Sequence, residues 1–180
     1  MLSFLTKKKV QEKKLAEIFV NSTLKTIDEG FPEVVSLIQE DPEFKTPPTV
    51  DLSNSDDFLF IILAGNLEFI PNYFTDYQDF RLINQIMAKL SDILAIEVVE
   101  LQKLISSYQQ YLHKVNHPSK NTHYAMSKAI FYKYELNNFQ QEYFMKMKTP
   151  NPIFLKRLDE IVSLFIWDWD SIKAKLKVVE

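Results

Sequence analysis

The chain has 180 residues, 46% of them hydrophobic and 25% charged, with a net charge of −3; this is the size and composition of one globular domain able to bury a core of its own. It contains no cysteine, which excludes disulfide staples, thiolate zinc sites, iron–sulfur clusters and cysteine nucleophiles together. Gly30 and Gly65 are its only glycines, too few for a phosphate-cradling loop, a dinucleotide-binding turn or an all-β fold of tight hairpins.

Charge narrows the partners. Only Arg81 and Arg157 among the 21 cations are arginine, and bidentate recognition of phosphate or guanine favours the planar guanidinium. An acidic, arginine-poor chain points away from nucleic acid. No run reaches the roughly 18 apolar residues of a membrane span. The opening MLSFLTKKK places its apolar residues before its lysines, the reverse of a secretory signal, so the expected location is cytoplasmic. The same nine residues suit peripheral membrane contact through the N-terminus, a short apolar tip beside lysines. The plainer expectation is a flexible N-terminus over residues 1–7.

From Lys7 to Glu29 the apolar residues Leu15, Ile18, Phe19, Val20, Leu24 and Ile27 fall at helical spacing. Gly30 reads as a C-cap and Pro32 as the first turn of a second short helix, Pro32 to Glu40. Residues 41–55 carry Pro42, Pro47, Pro48 and an excess of acid, and read as a solvated linker inside a single domain of residues 1–180. Phe58 to Ile70 (FLFIILAGNLEFI) has no hydrophilic face. It must be surrounded by protein, and its length favours a buried central helix over residues 56–70 against a buried strand.

Ile83, Ile86, Leu90, Ile93, Leu101, Leu104, Tyr108, Tyr111 and Val115 form the longest seam, and the absence of Gly or Pro within it predicts one continuous helix from Phe80 to Val115. Glu97 interrupts that seam: either the helix breaks near Ala95–Ile96 and restarts, or a carboxylate points toward the core. An aromatic-rich helix from His123 to Lys148, capped by Ser119 or Thr122, follows the turn at Pro118. Asn151 and Pro152 open a last helix, Ile153 to Lys177, whose seam ends at Leu176. The fold class is all-α: a single-domain bundle or array of five to six helices around the central one.

The chemistry-bearing groups are sparse. His113 and His117 stand at i, i+4, a metal-ligand spacing on a helix, and with Glu97 they form the candidate metal set; turn polarity explains them equally. Asn66 and Glu68 are the polar residues of the central helix, where burial would raise a carboxylate's pKa and mark a functional group, unless Glu68 is paired and Asn66 bonds backbone. Trp167, off the seam that holds Trp169, and Tyr132 and Tyr134 are candidate interaction residues. No cofactor is implied. The expectation is a non-catalytic interaction protein, an adaptor, inhibitor or immunity-type partner, binding another protein or itself through a helical surface. An aromatic-lined pocket for a small molecule is the first alternative, and a metal-dependent enzyme using the clustered histidines and a buried carboxylate is the second.

Overall fold

The computed structural model describes residues 7–180. It is an all-α array. Its helices are α1 (Glu12–Glu40), α2 (Asp56–Phe69), α3 (Gln78–Leu94), α4 (Val98–Asn116), α5 (Thr122–Lys133), α6 (Glu142–Met147), α7 (Pro152–Val162) and α8 (Trp169–Lys175). Two short strands, β1 (Lys8–Gln11) and β2 (Leu176–Val179), pair in parallel and join the two ends of the described chain.

The apolar run forms the central helix, α2. Its residues Phe58, Ile61, Ile62 and Ala64 enter one half of the core, with the second half of α1, α5 and α7; Phe60, Leu63 and Leu67 enter the other half, with the first half of α1, α3, α4 and Trp169. A helix apolar all round is stable only when covered all round, and α2 divides the core in two. Its one glycine serves close approach: a methyl added at Gly65 would collide with the Met126 side chain on α5. The N-terminus of α2 lacks a side-chain cap of its own; the Phe58 N–H instead donates to the Tyr134 hydroxyl, 3.2 Å away, so the end of α5 satisfies one of its orphan donors.

Several expected boundaries are corrected. Gly30 does not end the first helix: α1 runs unbroken through Pro32. Gly30 is there for space, since a Cβ would lie 2.7 Å from the Phe165 ring. Pro32 sits on the exposed side, where the carbonyl it leaves without a partner is open to water. Residues 41–55 are less solvated than their composition suggests. Phe44 and Val50 are buried, and the buried Asp41 carboxylate accepts from Arg157 Nη1 at 2.9 Å through both oxygens.

The long seam is two helices. Ala95 takes a left-handed conformation (φ 54°), its N–H donates to Ser91 O, and Ser91 Oγ donates to Ile96 O at 2.6 Å. Serine closes the turn where glycine would be expected. A non-glycine residue in this region costs about 1 kcal/mol, so Ala95→Gly is expected to raise stability by up to about 1 kcal/mol in urea unfolding; a loss of stability would show that the turn is not strained.

The aromatic-rich helix also divides. α5, capped by Asn121 Oδ1 accepting from Tyr124 N, ends at Lys133; Glu135 is left-handed; α6 is a separate short helix. The buried Gln140 holds this break open by donating to Asn137 Oδ1 and Thr149 O and accepting from Asn151 N. Asn151 and Pro152 do open α7, with Asn151 Oδ1 accepting from Ile153 N. The last helix stops at Val162, turns through Ser163–Phe165, resumes as α8 and ends in β2. No strand was expected at either end. All but Lys7 of the N-terminal stretch expected to be flexible lies outside the described residues.

Candidate functional site

Asn66 is fully buried on α2, and its amide is consumed by backbone. It donates to Ile62 O and to Phe165 O, both at 2.9 Å, and accepts from Trp167 N at 2.8 Å. The last two bonds take up backbone groups exposed where the α7–α8 connection leaves helical geometry. Asn66 thus supplies the connection with the partners its own chain does not, and has no free group for chemistry.

Glu68 faces α4 and α5. Its Oε1 stands 3.1 Å from His113 Nε2, and its Oε2 accepts from Thr122 Oγ1 at 3.1 Å. Burial holds its carboxyl above the usual glutamate range, against the opposing pull of His113 and Thr122. A raised carboxyl pKa means that ionising Glu68 costs the folded state. That cost is absent below the ordinary glutamate range and grows as pH rises through that range to the higher folded value. Glu68→Gln, which still accepts from Thr122, is therefore expected to be more stable than the parent at neutral pH by about 1 kcal/mol. The gain should fade toward pH 4 in urea titrations; a loss at neutral pH would mean that the His113 pair outweighs desolvation.

Glu68 and His113 meet, but the candidate metal set does not. Glu97 is exposed at the N-cap of α4 and His113 lies in its last turn, about 24 Å along the axis at 1.5 Å per residue. His117 is exposed at the C-cap. Among the described residues, no group of three or more His, Asp or Glu is placed to hold a metal ion. The recess beside Glu68 and His113 has a volume of about 10 Å³, the space of a single water rather than a substrate. The third histidine meets Asp159: His123 Nε2 is 2.8 Å from Asp159 O and 3.3 Å from Oδ1, which also accepts from Ser127 Oγ at 2.7 Å. The carboxylate sits between hydroxyl and imidazole, so the ring cannot take the serine proton as a nucleophilic triad requires.

The aromatic candidates are built into the fold. Trp167 is half-buried, edge-on to Phe19 at 5.4 Å and 6.0 Å from Trp169. Tyr132 donates to Lys148 O, and Tyr134 donates to Asn54 O. Tyr108 donates to Asp57 Oδ1 at 2.6 Å, and Lys133 Nζ reaches the same oxygen at 3.1 Å. Burial, reinforced by Asp57, holds the Tyr108 hydroxyl far above its ordinary pKa. It remains a donor, and the cluster ties the start of α2 to α4 and α5.

The feature not singled out from sequence is the outer face of α3 and α4. Between these helices lies an open groove of about 260 Å³ lined by Leu67, Phe80, Ile83, Asn84, Met87, Gln102, Ile105, Ser106 and Gln109. Phe80 on its rim is 62% exposed. A second recess continues over α4 along Val99, Gln102, Lys103, Ser106, Ser107 and Gln110. Among the described residues, Lys103 is the only charge lining either recess, on a chain in which one residue in four is charged. Surfaces that meet only water carry charge, whereas interface cores are depleted of it. The signal was legible as composition, since no acidic residue occurs between Glu100 and Glu135; helical periodicity alone ranks such a stretch by its buried seam and ignores its outer face.

No protein-family model, characterised protein or solved structure matches this chain. The class it belongs to, an all-α helical array, rests on its own architecture. No helix among the described residues is long and apolar enough to cross a membrane.

Proposed function

We propose that this is a non-catalytic cytoplasmic interaction protein, an adaptor, inhibitor or immunity-type partner, that binds another protein through the outer face of α3 and α4. The observation that carries the reading is the uncharged groove with Phe80 exposed on its rim. An aromatic beside a recess in a charge-poor surface is the arrangement that supplies interface hot spots. The amides of Asn84 and Gln102 offer both donors and acceptors around it, so a partner backbone or polar side chain finds hydrogen bonds at the rim while apolar residues fill the centre.

The test is affinity capture from cell extract with the full chain, compared with Phe80→Glu and Ser106→Arg. Both positions are exposed, so the fold is expected to hold. A partner recovered by the parent protein should bind either variant about thirtyfold or more weakly, the effect of losing a hot-spot residue. Equal recovery by all three proteins would remove this face from consideration.

A further inference from the structure

We infer that the joined ends of the chain form a basic edge that docks on an anionic lipid surface. Lys7, Lys8 and Lys9 precede α1, and Lys173, Lys175 and Lys177 lie in α8 and β2 at the other end of the sequence. The parallel pairing of β1 with β2 brings the two groups together. Lys9 stands directly opposite Lys177, and Lys7 Nζ donates to Lys173 O at 2.6 Å. Strand alternation sends Val10 and Val178 inward, where both pack on the core, and leaves Lys9 and Lys177 side by side on the outer face.

Like charges directly opposite one another destabilise a strand pair. Among the described residues no carboxylate lies within ion-pair distance of Lys8, Lys9 or Lys177. Most acids of this region are engaged elsewhere: Glu12 and Glu180 pair with Arg81, Glu17 pairs with Lys14, and Asp170 accepts from the Tyr73 hydroxyl. Asp168 caps α8 through Ser171 and is the acid whose field Lys175 shares. Residues 1–6 contain no acid. The result is an edge on which lysines outnumber acids, on a chain of net charge −3, and an anionic partner would relieve the repulsion between Lys9 and Lys177.

Lipid is favoured over nucleic acid by the kind of cation. Both arginines are committed to buried carboxylates, Arg81 to Glu12 and Arg157 to Asp41, so only lysines are free. Flexible point charges suit a diffuse anionic surface, where each is worth about 1 kcal/mol; they lack the fork that reads phosphate and base edges. The N-terminal lysines alone would bind marginally. The strand pairing adds a second set from the far end of the chain.

Sedimentation of the full chain with vesicles tests the proposal. One set is phosphatidylcholine alone, and in the other a third of the lipid is phosphatidylserine. The protein should sediment only with the anionic vesicles, and less as salt is raised. Lys175→Gln/Lys177→Gln should weaken binding roughly thirtyfold, about fivefold per lysine; the change removes the contact opposite Lys9, so the fold is expected to survive, and circular dichroism checks that it does. Three results would overturn the inference: no sedimentation with anionic vesicles at low salt, binding indifferent to the C-terminal pair, or tighter binding to duplex DNA than to vesicles. None of these outcomes bears on the α3–α4 face, because Phe80→Glu leaves the basic edge intact.

Discussion

Asn66→Ala is expected to cost about 4 kcal/mol of folding stability and to loosen the segment after Val162 before the rest of the molecule. The side chain makes two donated bonds and one accepted bond inside the core. Ile62 O keeps its helical partner when the amide is removed, but Phe165 O and Trp167 N–H are left without theirs. Each buried backbone group stranded in this way costs about 1–3 kcal/mol, and the space left by the carboxamide adds a cavity term. Asn66→Asp is expected to be at least as damaging, because its acceptors face two carbonyls and only the Trp167 N–H remains served. Denaturant unfolding gives the total, and amide exchange gives the location: protection should fall first across α8 and β2. A loss below about 1 kcal/mol would mean that solvent satisfies the junction, and Asn66 would not be its anchor.

Arg81→Met is the second large effect expected, about 3 kcal/mol at neutral pH. Glu12 has a side chain only 2% exposed at the start of α1 and accepts from Arg81 Nη2 at 2.8 Å, Arg81 Nε at 3.1 Å and Gln78 Nε2 at 3.1 Å. Removing the guanidinium leaves a buried carboxylate with one neutral donor, and breaking one side of a buried pair costs more than the pair contributes. The pH dependence has a definite sign. The Arg81 hydrogen bonds hold the Glu12 carboxyl below the usual glutamate range, against the opposing effect of burial. The stability they confer is fully present above that range and is lost as pH falls through the depressed value. The difference between parent and Arg81→Met should therefore shrink on acidification, and Glu12→Gln/Arg81→Met should recover much of the loss at neutral pH. A difference that stays constant from neutral to acid pH would assign the effect of Arg81 to packing of its aliphatic stem.

The two effects illustrate which parts of the fold a linear reading reaches. That α2 is central follows from its composition, because an apolar stretch with no polar face has no stable solvent-exposed form. That Asn66 is a tie between α2 and the α7–α8 connection does not follow. Its partners are backbone atoms about a hundred residues away, and nothing local distinguishes a carboxamide that bonds its own helix from one that opens another. Gly30 misled for a related reason: a glycine near a proline resembles a helix end, yet here the missing side chain makes room for Phe165. At Ala95 the charged Glu97 on an apolar seam does point to a break, while the lack of glycine or proline argues for one helix; Ser91, rather than a glycine, closes the turn.

The site was less legible than the fold. Histidine spacing and aromatic content draw attention to groups that do not converge: His113 meets Glu68, His123 meets Asp159, His117 is exposed, and Trp167 packs on Phe19. Glu68 and His113 do meet, across α2 and α4, but Glu97 lies about 24 Å from His113 by helix rise, so a shared face in sequence becomes opposite ends in space. The surfaces that carry the functional readings are defined by their charge balance, a groove with little charge on the α3–α4 face and an excess of lysine over acid on the terminal edge.

By itself the sequence determined the class, the central helix and the chemistries that cannot occur, since composition and apolar periodicity act on every residue and need no partner. Tertiary structure alone decided where helices break, which polar groups are satisfied and which surfaces remain. Each of these depends on a contact between residues far apart in the chain: Asn66 with Trp167, Arg81 with Glu12, Lys9 with Lys177. Hydrogen bonds and charges contribute through short distances and defined geometry, and those distances exist only once α2 has been covered.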